Sequence, residues 1–466
     1  MSASSAWNSP GTSSPLYSSG PPTPATEVED LLDHVGQAEN DADDEYILVT
    51  GGLGFIGSHT SLELLKAGYD IIIVDNLSNS YEDVYSRILL AAKLHHAKAS
   101  TQCPKAELCC IDYRDTDAMS LLLEKHSISA PQHPPMLAAT TQPVTQKSTI
   151  TGVIHFAAYK QVAESIHHPL KYYRNNIQGL IDLLTLLDTH AIKTFIFSSS
   201  AAVYGSLSET RPQSSLTTTT TPPSTTGPAS TPLLREEDCV HTPESYLDPE
   251  TLTQKTTPQG CTGITNPYGR TKFFAEAILS DICASDPHWT VLALRYFNPI
   301  GCDSSGLLGE DPRSAASNLF PAAIRVLLGE SKELFLYGSD WETSDGSAVR
   351  DFIHVSDLAR GHTAALAAAL GQTRPRIQKQ TGFRTYNLGT GQGHSVWQVV
   401  RALEDVWERE IPVRVVGRRE GDVGVCVARA ERAREELGWR TERGLREACV
   451  DAWRYLGGRE GGVELG

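Results

Sequence analysis

Short apolar runs alternate with segments of helical spacing from Tyr46 onward. The first run, Tyr46–Val49, is followed by a Gly-rich turn, by helical spacing over Ser61–Ala67 and by a second run, Ile71–Val74. A strand, a helix and a strand in this order predict a β-α-β unit with parallel strands. Further apolar runs continue the pattern at 152–156, 194–197 and 291–294. The sequence therefore predicts an α/β fold with a doubly wound parallel sheet of the Rossmann type.

Two longer segments of helical spacing, Leu170–Leu187 and Asn266–Leu279, are expected to pack on this sheet. A chain of 466 residues exceeds the roughly 250–300 residues at which a single core stops growing. We therefore assign residues 45–300 to the Rossmann domain. Residues 301–466 form mainly a smaller, mixed substrate lobe, with some segments returning to the Rossmann domain.

Stretches rich in Ser, Thr, Pro or acidic residues interrupt the pattern. Residues 1–44 cannot bury enough apolar surface to offset their ordering entropy, so we expect a disordered leader. The intervals at about 127–148 and about 206–262 have low-complexity composition and are interpreted as insertions into the Rossmann domain. Residues at about 371–383 form a shorter polar spacer.

Charge and cysteine content exclude several classes of protein. A formal net charge of −16 argues against general affinity for nucleic acids. No run of roughly 18 apolar residues could span a membrane, and the N-terminal residues lack the features of a secretory signal. The nine cysteines have no metal-ligand spacing and are expected to be reduced thiols. The sequence predicts a cytoplasmic protein without a metal site.

A Gly-rich segment, Gly51-Gly52-Leu53-Gly54-Phe55-Ile56-Gly57, joins the first strand to the first helix. Such glycines permit a tight turn and close approach of a pyrophosphate, whose charge is stabilised at the helix N-terminus. Asp75 ends the second strand, where a carboxylate can accept hydrogen bonds from ribose hydroxyls but repels a 2′-phosphate. The pattern therefore predicts a site for NAD rather than NADP.

A catalytic constellation follows further along the chain. Ser200 comes at the end of an apolar strand, and Tyr268 and Lys272 are four residues apart on a predicted helix, so that both side chains lie on one face. A nearby ammonium favours the phenolate and is expected to lower the phenol pKa of Tyr268. Tyr268 is then the predicted general base.

With these motifs in place, the chain resembles the extended short-chain dehydrogenases, and specifically the UDP-glucose 4-epimerases. The resemblance covers nearly all of the chain outside the leader and the insertions. The matching segments, each given with its first residue, are GGLGFIGSHT (Gly51), VDNLSNS (Val74), HFAAYKQVAES (His155), SSSAAVYG (Ser198), NPYGRTK (Asn266), LRYFNPIG (Leu294), VRDFIHVSDLARGH (Val349), YNLGTGQGHSV (Tyr386) and RREGDV (Arg418).

The resemblance implies reversible interconversion of UDP-glucose and UDP-galactose, with transient hydride transfer from sugar carbon 4 to bound NAD through a 4-keto intermediate. Tyr268 would take the proton of the 4-hydroxyl, Ser200 would hydrogen-bond that hydroxyl, and Lys272 would hold the nicotinamide ribose. The resemblance also implies a homodimer. Cys426 falls where the family carries either a bulky Tyr or a smaller residue, and a small one suggests that UDP-GlcNAc and UDP-GalNAc are accepted too.

Binding residues are carried over from matching family positions. The cofactor set is Gly51, Gly54, Phe55, Ile56, Gly57, Asp75, Asn76, Asn79, Ser80, Asp112, Tyr113, Phe156, Ala157, Lys160, Asn176 and Phe297. The UDP-sugar set is Asn298, Asn318, Leu319, Tyr337, Arg350, Arg419, Asp422 and Cys426.

Two other functions compete with epimerisation. A nucleotide-sugar 4,6-dehydratase or decarboxylase shares Tyr-x-x-x-Lys, but dehydratases usually carry an Asp-Glu pair where this chain has Ala201-Ala202. A non-catalytic NAD-sensing regulator would be expected to lose Ser200, Tyr268 or Lys272, and all three are present.

Overall fold

The computed structural model of the protein describes residues 45–129, 146–206, 233–248, 251–257, 260, 263–311, 313, 318–373 and 377–457. The predicted leader at 1–44 lies outside the described residues. The strands are β1 (Tyr46–Thr50), β2 (Asp70–Val74), β3 (Ala106–Cys109), β4 (Ser127–Ser129), β5 (Gln146–Ser148), β6 (Ile150–His155), β7 (Thr194–Ser200), β8 (Glu244–Leu247), β9 (Gln254–Thr257), β10 (Thr290–Tyr296), β11 (Asn298–Ile300), β12 (Leu334–Tyr337), β13 (Val349–His354), β14 (Gly382–Leu388), β15 (Gly393–Ser395), β16 (Val413–Val416) and β17 (Val425–Cys426).

The helices connect and cover these strands. They are α1 (Phe55–Lys66), α2 (Asp83–Ala99), α3 (Thr116–Lys125), α4 (Val162–His167), α5 (Pro169–Tyr173), α6 (Gly179–Thr189), α7 (Pro267–Ser285), α8 (Leu319–Leu327), α9 (Val355–Leu370), α10 (Val396–Trp407), α11 (Glu431–Glu436) and α12 (Leu445–Gly457). In the described segments, none of the helices combines the length and apolar composition that a membrane span requires.

Seven parallel strands form the central sheet, in the order β14-β10-β7-β6-β1-β2-β3. Successive side chains of a strand point to opposite faces, and both faces are covered here. Ile47 and Val49 of β1 join a core with α1, α2 and α9, whereas Tyr46 and Leu48 join a core with α3, α6 and α7. The doubly wound parallel sheet that the sequence predicts is confirmed.

Residues after 300 build a second, smaller core. Strands β11, β13, β15 and β17 form a mixed sheet, and β12 pairs in parallel with β16. Helices α8, α10 and α12 supply apolar residues to this core, among them Phe320, Leu403 and Tyr455. The helix α9 and strand β14 instead pack with the central sheet.

Local details differ from the sequence predictions. The first helix begins at Phe55, six residues before the expected Ser61, because the last glycines of the turn already belong to it or cap it. The helix expected over 170–187 is divided by a π-helical turn, Arg174–Gln178, into α5 and α6.

The described parts of the two predicted insertions have regular structure. Strands β4 and β5, on either side of residues 130–145, pair as an antiparallel ladder. In the second interval, β8 and β9 form a hairpin, and Leu234 forms a bridge with Ala428. Residues 207–232, with most of the Thr/Pro-rich sequence, lie outside the described residues.

Candidate active site

The Gly-rich turn lies between β1 and α1, and backbone atoms pack closely against two of its glycines. Gly51 has φ +71°, and a Cβ there would come within 2.8 Å of the Ala157 backbone nitrogen. A Cβ on Gly57 would come within 2.1 Å of the Gly51 carbonyl oxygen. The turn can therefore fold only with glycine at these two positions, and it leaves the N-terminus of α1 facing open space.

Asp75 follows β2 and is 7% exposed. Its carboxylate accepts hydrogen bonds from the backbone N–H of Leu53 at 3.0 Å, the N–H of Leu77 at 3.0 Å and the hydroxyl of Ser80 at 2.6 Å. The acid that the sequence predicts for the ribose is thus held rigidly beside the Gly-rich turn. Because no cation is among these contacts, its negative charge would repel a 2′-phosphate.

A cavity of about 450 Å³ spans this region, which is within the roughly 300–1,000 Å³ usual for cofactor sites. Most of the predicted cofactor residues line it: Gly51, Gly54, Phe55, Ile56, Gly57, Asp75, Asn76, Asn79, Ser80, Tyr113, Phe156, Ala157 and Lys160. An elongated cavity with a glycine turn at a helix N-terminus and a buried carboxylate fits a dinucleotide.

The helix α7 presents Tyr268 and Lys272 to the same cavity. Its start is strongly determined, because the side chain of Asn266 accepts the backbone N–H of Gly269 at 2.8 Å and Pro267 occupies the first turn. The backbone N–H of Tyr268 donates to the hydroxyl of Ser165 at 3.2 Å. These contacts fix where the phenol enters the site.

The phenol of Tyr268 is buried, and its pKa responds to two side chains close to it, Ser200 at the end of β7 and Tyr296 at the end of β10. The three predicted catalytic residues thus converge at the carboxyl edge of the parallel sheet. Tyr296 was not predicted, although it lines the cavity and its hydroxyl accepts a hydrogen bond from Ser198 at 3.2 Å.

The ionisation of Tyr268 and Lys272 differs from the sequence prediction. Burial raises the pKa of Tyr268 well above its usual value, whereas we expected Lys272 to lower it. Lys272 is itself buried, and burial lowers the pKa of its ammonium to about 7 against the opposing charge of Glu276. Its Nζ lies 6.0 Å from the centre of the Tyr268 ring and donates to the Ser198 carbonyl at 2.5 Å. A lysine with a pKa near 7 is only partly charged, so its effect on the phenol is weaker than predicted.

A second cavity, of about 360 Å³, lies against α8, β12 and β13. Seven of the eight predicted UDP-sugar residues line it: Asn298, Asn318, Leu319, Tyr337, Arg350, Arg419 and Asp422. Arg350 donates to Asp422 at 2.6 Å, and the guanidinium of Arg419 stacks 4.2 Å from the centre of the Tyr337 ring. The two arginines offer the planar donors that suit a diphosphate.

Four predicted binding residues and the predicted catalytic residue Ser200 lie outside the lining of these two cavities. Asp112 stands behind Asn76 and accepts its amide N–H at 2.9 Å. The buried amide of Asn176 holds Tyr159, one of the lining residues, by two hydrogen bonds to its backbone. Phe297 packs in an apolar cluster with Val203 and Tyr204, and Cys426 packs against that cluster, beside Arg350 in the strand register.

Sequence reasoning missed one wall of the dinucleotide cavity. This wall lies against α2, and the guanidinium of Arg313 lies 3.7 Å from the centre of the Tyr81 ring. It is lined by Gly309, Glu310, Asp311 and Arg313. These residues come from the segment after β11, far in sequence from the Gly-rich turn. Their charges were visible in the sequence, but no local pattern places them at the cofactor site.

Comparison with known proteins decides the family. Residues 47–133, 136–247 and 239–389 match the NAD dependent epimerase/dehydratase family. The chain belongs to this family. The predicted resemblance and the predicted NAD dependence are therefore confirmed.

Relatives in the family are similar over most of their length. UDP-glucose 4-epimerase of Mus musculus is 40% identical over 411 residues, covering 88% of this chain and 96% of the mouse protein. UDP-glucose 4-epimerase of Bacillus subtilis is 37% identical over 409 residues, with coverage of 88% and 96%. The crystal structure of the Bifidobacterium longum enzyme in complex with NAD+ and UDP superposes with a TM-score of 0.66 at 35% identity, covering 89% of this chain and 98% of that one.

Proposed function

We propose that the protein reversibly interconverts UDP-glucose and UDP-galactose. The observation that carries the proposal is the buried Tyr268 in the wall of the dinucleotide cavity, with Ser200 and Lys272 close to its phenol. The relatives named UDP-glucose 4-epimerase in Mus musculus and Bacillus subtilis support the same reaction. NAD, when bound, supplies the acceptor and then the donor of the hydride at sugar carbon 4.

The protein's own residues move the proton and hold the sugar nucleotide. Tyr268 Oη takes the proton of the 4-hydroxyl and returns it when the keto group is reduced on its other face. Ser200 is placed to hydrogen-bond the same hydroxyl because it already contacts the phenol. Tyr296 ends β10 in the first cavity and Asn298 starts β11 in the second, so the two cavities adjoin there.

The second cavity must hold the nucleotide of the substrate while the sugar rotates. The sugar must turn between the two hydride transfers while its nucleotide stays bound. Arg350 and Arg419 would hold the diphosphate through charge-assisted hydrogen bonds, leaving the sugar free to rotate near Tyr268.

The test is turnover of UDP-galactose by the purified protein without added NAD, followed as formation of UDP-glucose. Wild type is expected to convert the sugar with resident cofactor. Tyr268→Phe is expected to lose about a thousandfold in kcat, because the phenol oxygen that accepts the proton is gone. If wild type forms no UDP-glucose even with NAD supplied, the proposal fails for this sugar pair, and a dehydratase or a non-catalytic sensor replaces it.

The sugar range is proposed to include N-acetylated sugars. Cys426 is a small residue next to Arg350 in the strand register, where a bulky side chain would fill space between Arg350 and the Phe297 cluster. A Campylobacter jejuni structure named UDP-Glc/GlcNAc 4-epimerase is 28% identical with a TM-score of 0.59. Wild type should turn over UDP-GalNAc, and Cys426→Tyr should lose that activity while keeping UDP-galactose turnover; equal effects on both sugars would contradict the role of Cys426.

A homodimer is proposed from an exposed apolar face on neighbouring helices. Leu170 and Phe274 are 68% and 42% exposed on α5 and α7, and the Phe274 ring lies beside Tyr173. Apolar side chains grouped in this way favour burial against a second copy through a two-fold interface. Sedimentation should give a dimer for wild type and a monomer for Phe274→Glu. The control, Leu121→Glu, changes a leucine that is 69% exposed on α3 and should leave the dimer intact; a monomeric wild type would refute the proposal.

The cytoplasm is the proposed location. The cysteines in the described part of the chain are free thiols, as a reducing compartment favours. Fractionation of cells should recover the protein with cytosolic markers, and recovery from a secretory compartment would contradict the assignment.

A further inference from the structure

A buried polar network lies directly behind the catalytic residues. Its centre is Glu276, one helical turn after Lys272 on α7 and 0% exposed. Glu276 Oε1 accepts the hydroxyl of Ser199 at 2.5 Å and Arg295 Nε at 3.0 Å. Glu276 Oε2 accepts Arg295 Nη2 at 2.6 Å and contacts His241 Nε2 at 2.8 Å. Both carboxylate oxygens are therefore fixed by side chains from three other segments.

The proton in the His241 contact can be assigned from the charge of its partner. Burial opposes ionisation of Glu276, but Arg295 and His241 outweigh it and lower the pKa of the carboxyl to about 2. An ionised carboxylate only accepts hydrogen bonds, so His241 Nε2 is the donor. A charge-assisted bond of this kind is stronger than a neutral one.

The network reaches the reacting groups through the backbone of β7. Ser199 stands between Ser198, whose carbonyl accepts Lys272 Nζ, and Ser200, which lies close to the phenol of Tyr268. Within the described part of the chain, the lining of the dinucleotide cavity contains neither Ser199 nor Glu276 nor His241. Their influence on the reaction is therefore indirect: it acts through the position of the strand end and, for Glu276, also through its charge on Lys272.

His241 comes from the interval 206–262, which the sequence marks only as an insertion. The segment around it is held by several contacts: Arg295 donates to the carbonyls of Glu236 and Cys239, and Glu244 pairs with Arg384 and Arg432. The described segment around His241 is thus docked against α7 and β10, and His241 is its link to Glu276.

A metal ion is the competing explanation for this cluster. Ligand atoms of Cys239, His241 and Glu276 lie within 4.8 Å of one another. The guanidinium of Arg295, however, already bonds both oxygens of Glu276 and the carbonyl of Cys239. A divalent cation would be buried against this guanidinium, at a large electrostatic cost, so a metal site does not fit.

We propose that His241 and Glu276 are positioning residues for the epimerase reaction. His241 holds the carboxylate of Glu276 in the orientation that accepts the Ser199 hydroxyl, and Ser199 keeps Ser198 and Ser200 in register for Lys272 and Tyr268. The inference rests on the proposed function, since its readout is epimerisation. Small displacements of catalytic groups carry large rate effects, so loss of this link should lower kcat without weakening substrate binding.

The experiment compares wild type with four variants of the full-length protein in UDP-galactose turnover. His241→Leu removes the donor and is expected to lower kcat about tenfold, with KM and bound NAD content unchanged. His241→Gln restores an N–H donor and is expected to recover most of the lost rate. Ser199→Ala cuts the same link at its other end and should give a similar loss of kcat, which keeps the proposal testable if His241→Leu folds poorly.

Glu244→Gln is the matched control, because Glu244 docks the same segment through Arg384 and Arg432 without a contact to Glu276. It is expected to lower Tm while leaving kcat unchanged. The proposal is overturned if His241→Leu keeps the wild-type kcat while Tm falls, or if Glu244→Gln lowers kcat equally. Stoichiometric metal in the purified wild type, lost in His241→Leu, would overturn it in favour of a metal site. Absence of turnover in wild type would instead remove the proposed function.

Discussion

The two cavities of this protein differ in the charge state of their polar side chains. In the dinucleotide cavity two of the predicted catalytic residues, Tyr268 and Lys272, are buried, and burial shifts both pKa values toward the neutral forms. In the second cavity Arg350 is paired with Asp422 at 2.6 Å, and Arg419 is exposed on the face of Tyr337. Lys272, with a pKa near 7, can gain or lose a proton near neutral pH, whereas anchoring a diphosphate needs charges that do not change.

The difference also appears in how each site is assembled. The first cavity is built mainly from the ends of adjacent parallel strands, where successive βα turns meet. The second gathers residues from 298 to 422, on strands of two small sheets and a helix N-terminus. Substitutions in the first cavity should therefore affect the chemical step, and those in the second should affect binding.

After Tyr268→Phe, the largest expected effect concerns Lys272. Replacing it with Met should lower kcat about a hundredfold, since the group that holds the Ser198 carbonyl beside Tyr268 is lost. The substitution should also change the pH dependence of stability. Because the pKa of Lys272 falls from 10.5 to about 7 on folding, the unfolded state binds more protons between these values, and wild-type stability rises with pH across this window.

Urea unfolding of wild type and Lys272→Met at several pH values measures this linkage. The advantage of Lys272→Met in free energy of unfolding should be largest below about pH 7, where wild type carries the full cost of a buried ammonium, and should shrink toward pH 10.5. A difference that does not vary with pH would mean that the lysine keeps its ordinary pKa, and the contrast between the cavities would be lost.

A smaller effect is expected from Arg350→Lys. The guanidinium donates to Asp422 and to the carbonyls of Val349 and Gly424, and an ammonium cannot reproduce this planar arrangement. KM for UDP-galactose should rise about tenfold with kcat little changed, because binding and not chemistry is weakened. Arg414→Lys serves as control, since Arg414 is exposed on neighbouring β16 and pairs with Glu333. A fall in kcat at constant KM would place Arg350 in the chemical step.

In the dinucleotide cavity, the sequence predicted the wall with the Gly-rich turn but not the wall formed by residues 309–311 and 313. The turn from Gly51 to Gly57 and Asp75 could be found because strand, turn, helix and acid follow one another, and the fold keeps that order. Glu310 and Arg313 could not be found in this way, because only tertiary packing brings them to the cavity. His241 was missed for a related reason: the Thr/Pro-rich composition of its neighbours hid a segment whose buried contacts with Glu276 and Arg295 only the fold reveals.

A difference of one position between the prediction and the described cavity lining is found at the end of β10. The family motif led us to assign Phe297 to the cofactor, but Tyr296 lines the cavity and Phe297 packs with Val203 and Tyr204. Consecutive residues of an extended strand point to opposite sides, so an assignment that is wrong by one residue exchanges a site residue for a core residue. A motif gives the pair of aromatics, and only the register of β10 in the sheet decides which one faces the cofactor.

The smallest predicted effects separate these two aromatics. Tyr296→Phe removes the hydroxyl that contacts Ser198 and Tyr268 and should lower kcat about threefold, the value of one modest hydrogen bond. Phe297→Leu should lower Tm through poorer packing while kcat and bound NAD stay at wild-type levels. If Phe297→Leu instead releases NAD and Tyr296→Phe has no effect, the motif assignment was right. Phe297 and not Tyr296 would then be assigned to the cofactor at the end of β10. The contrast between a buried proton-transfer site and a charged anchoring site would be weaker.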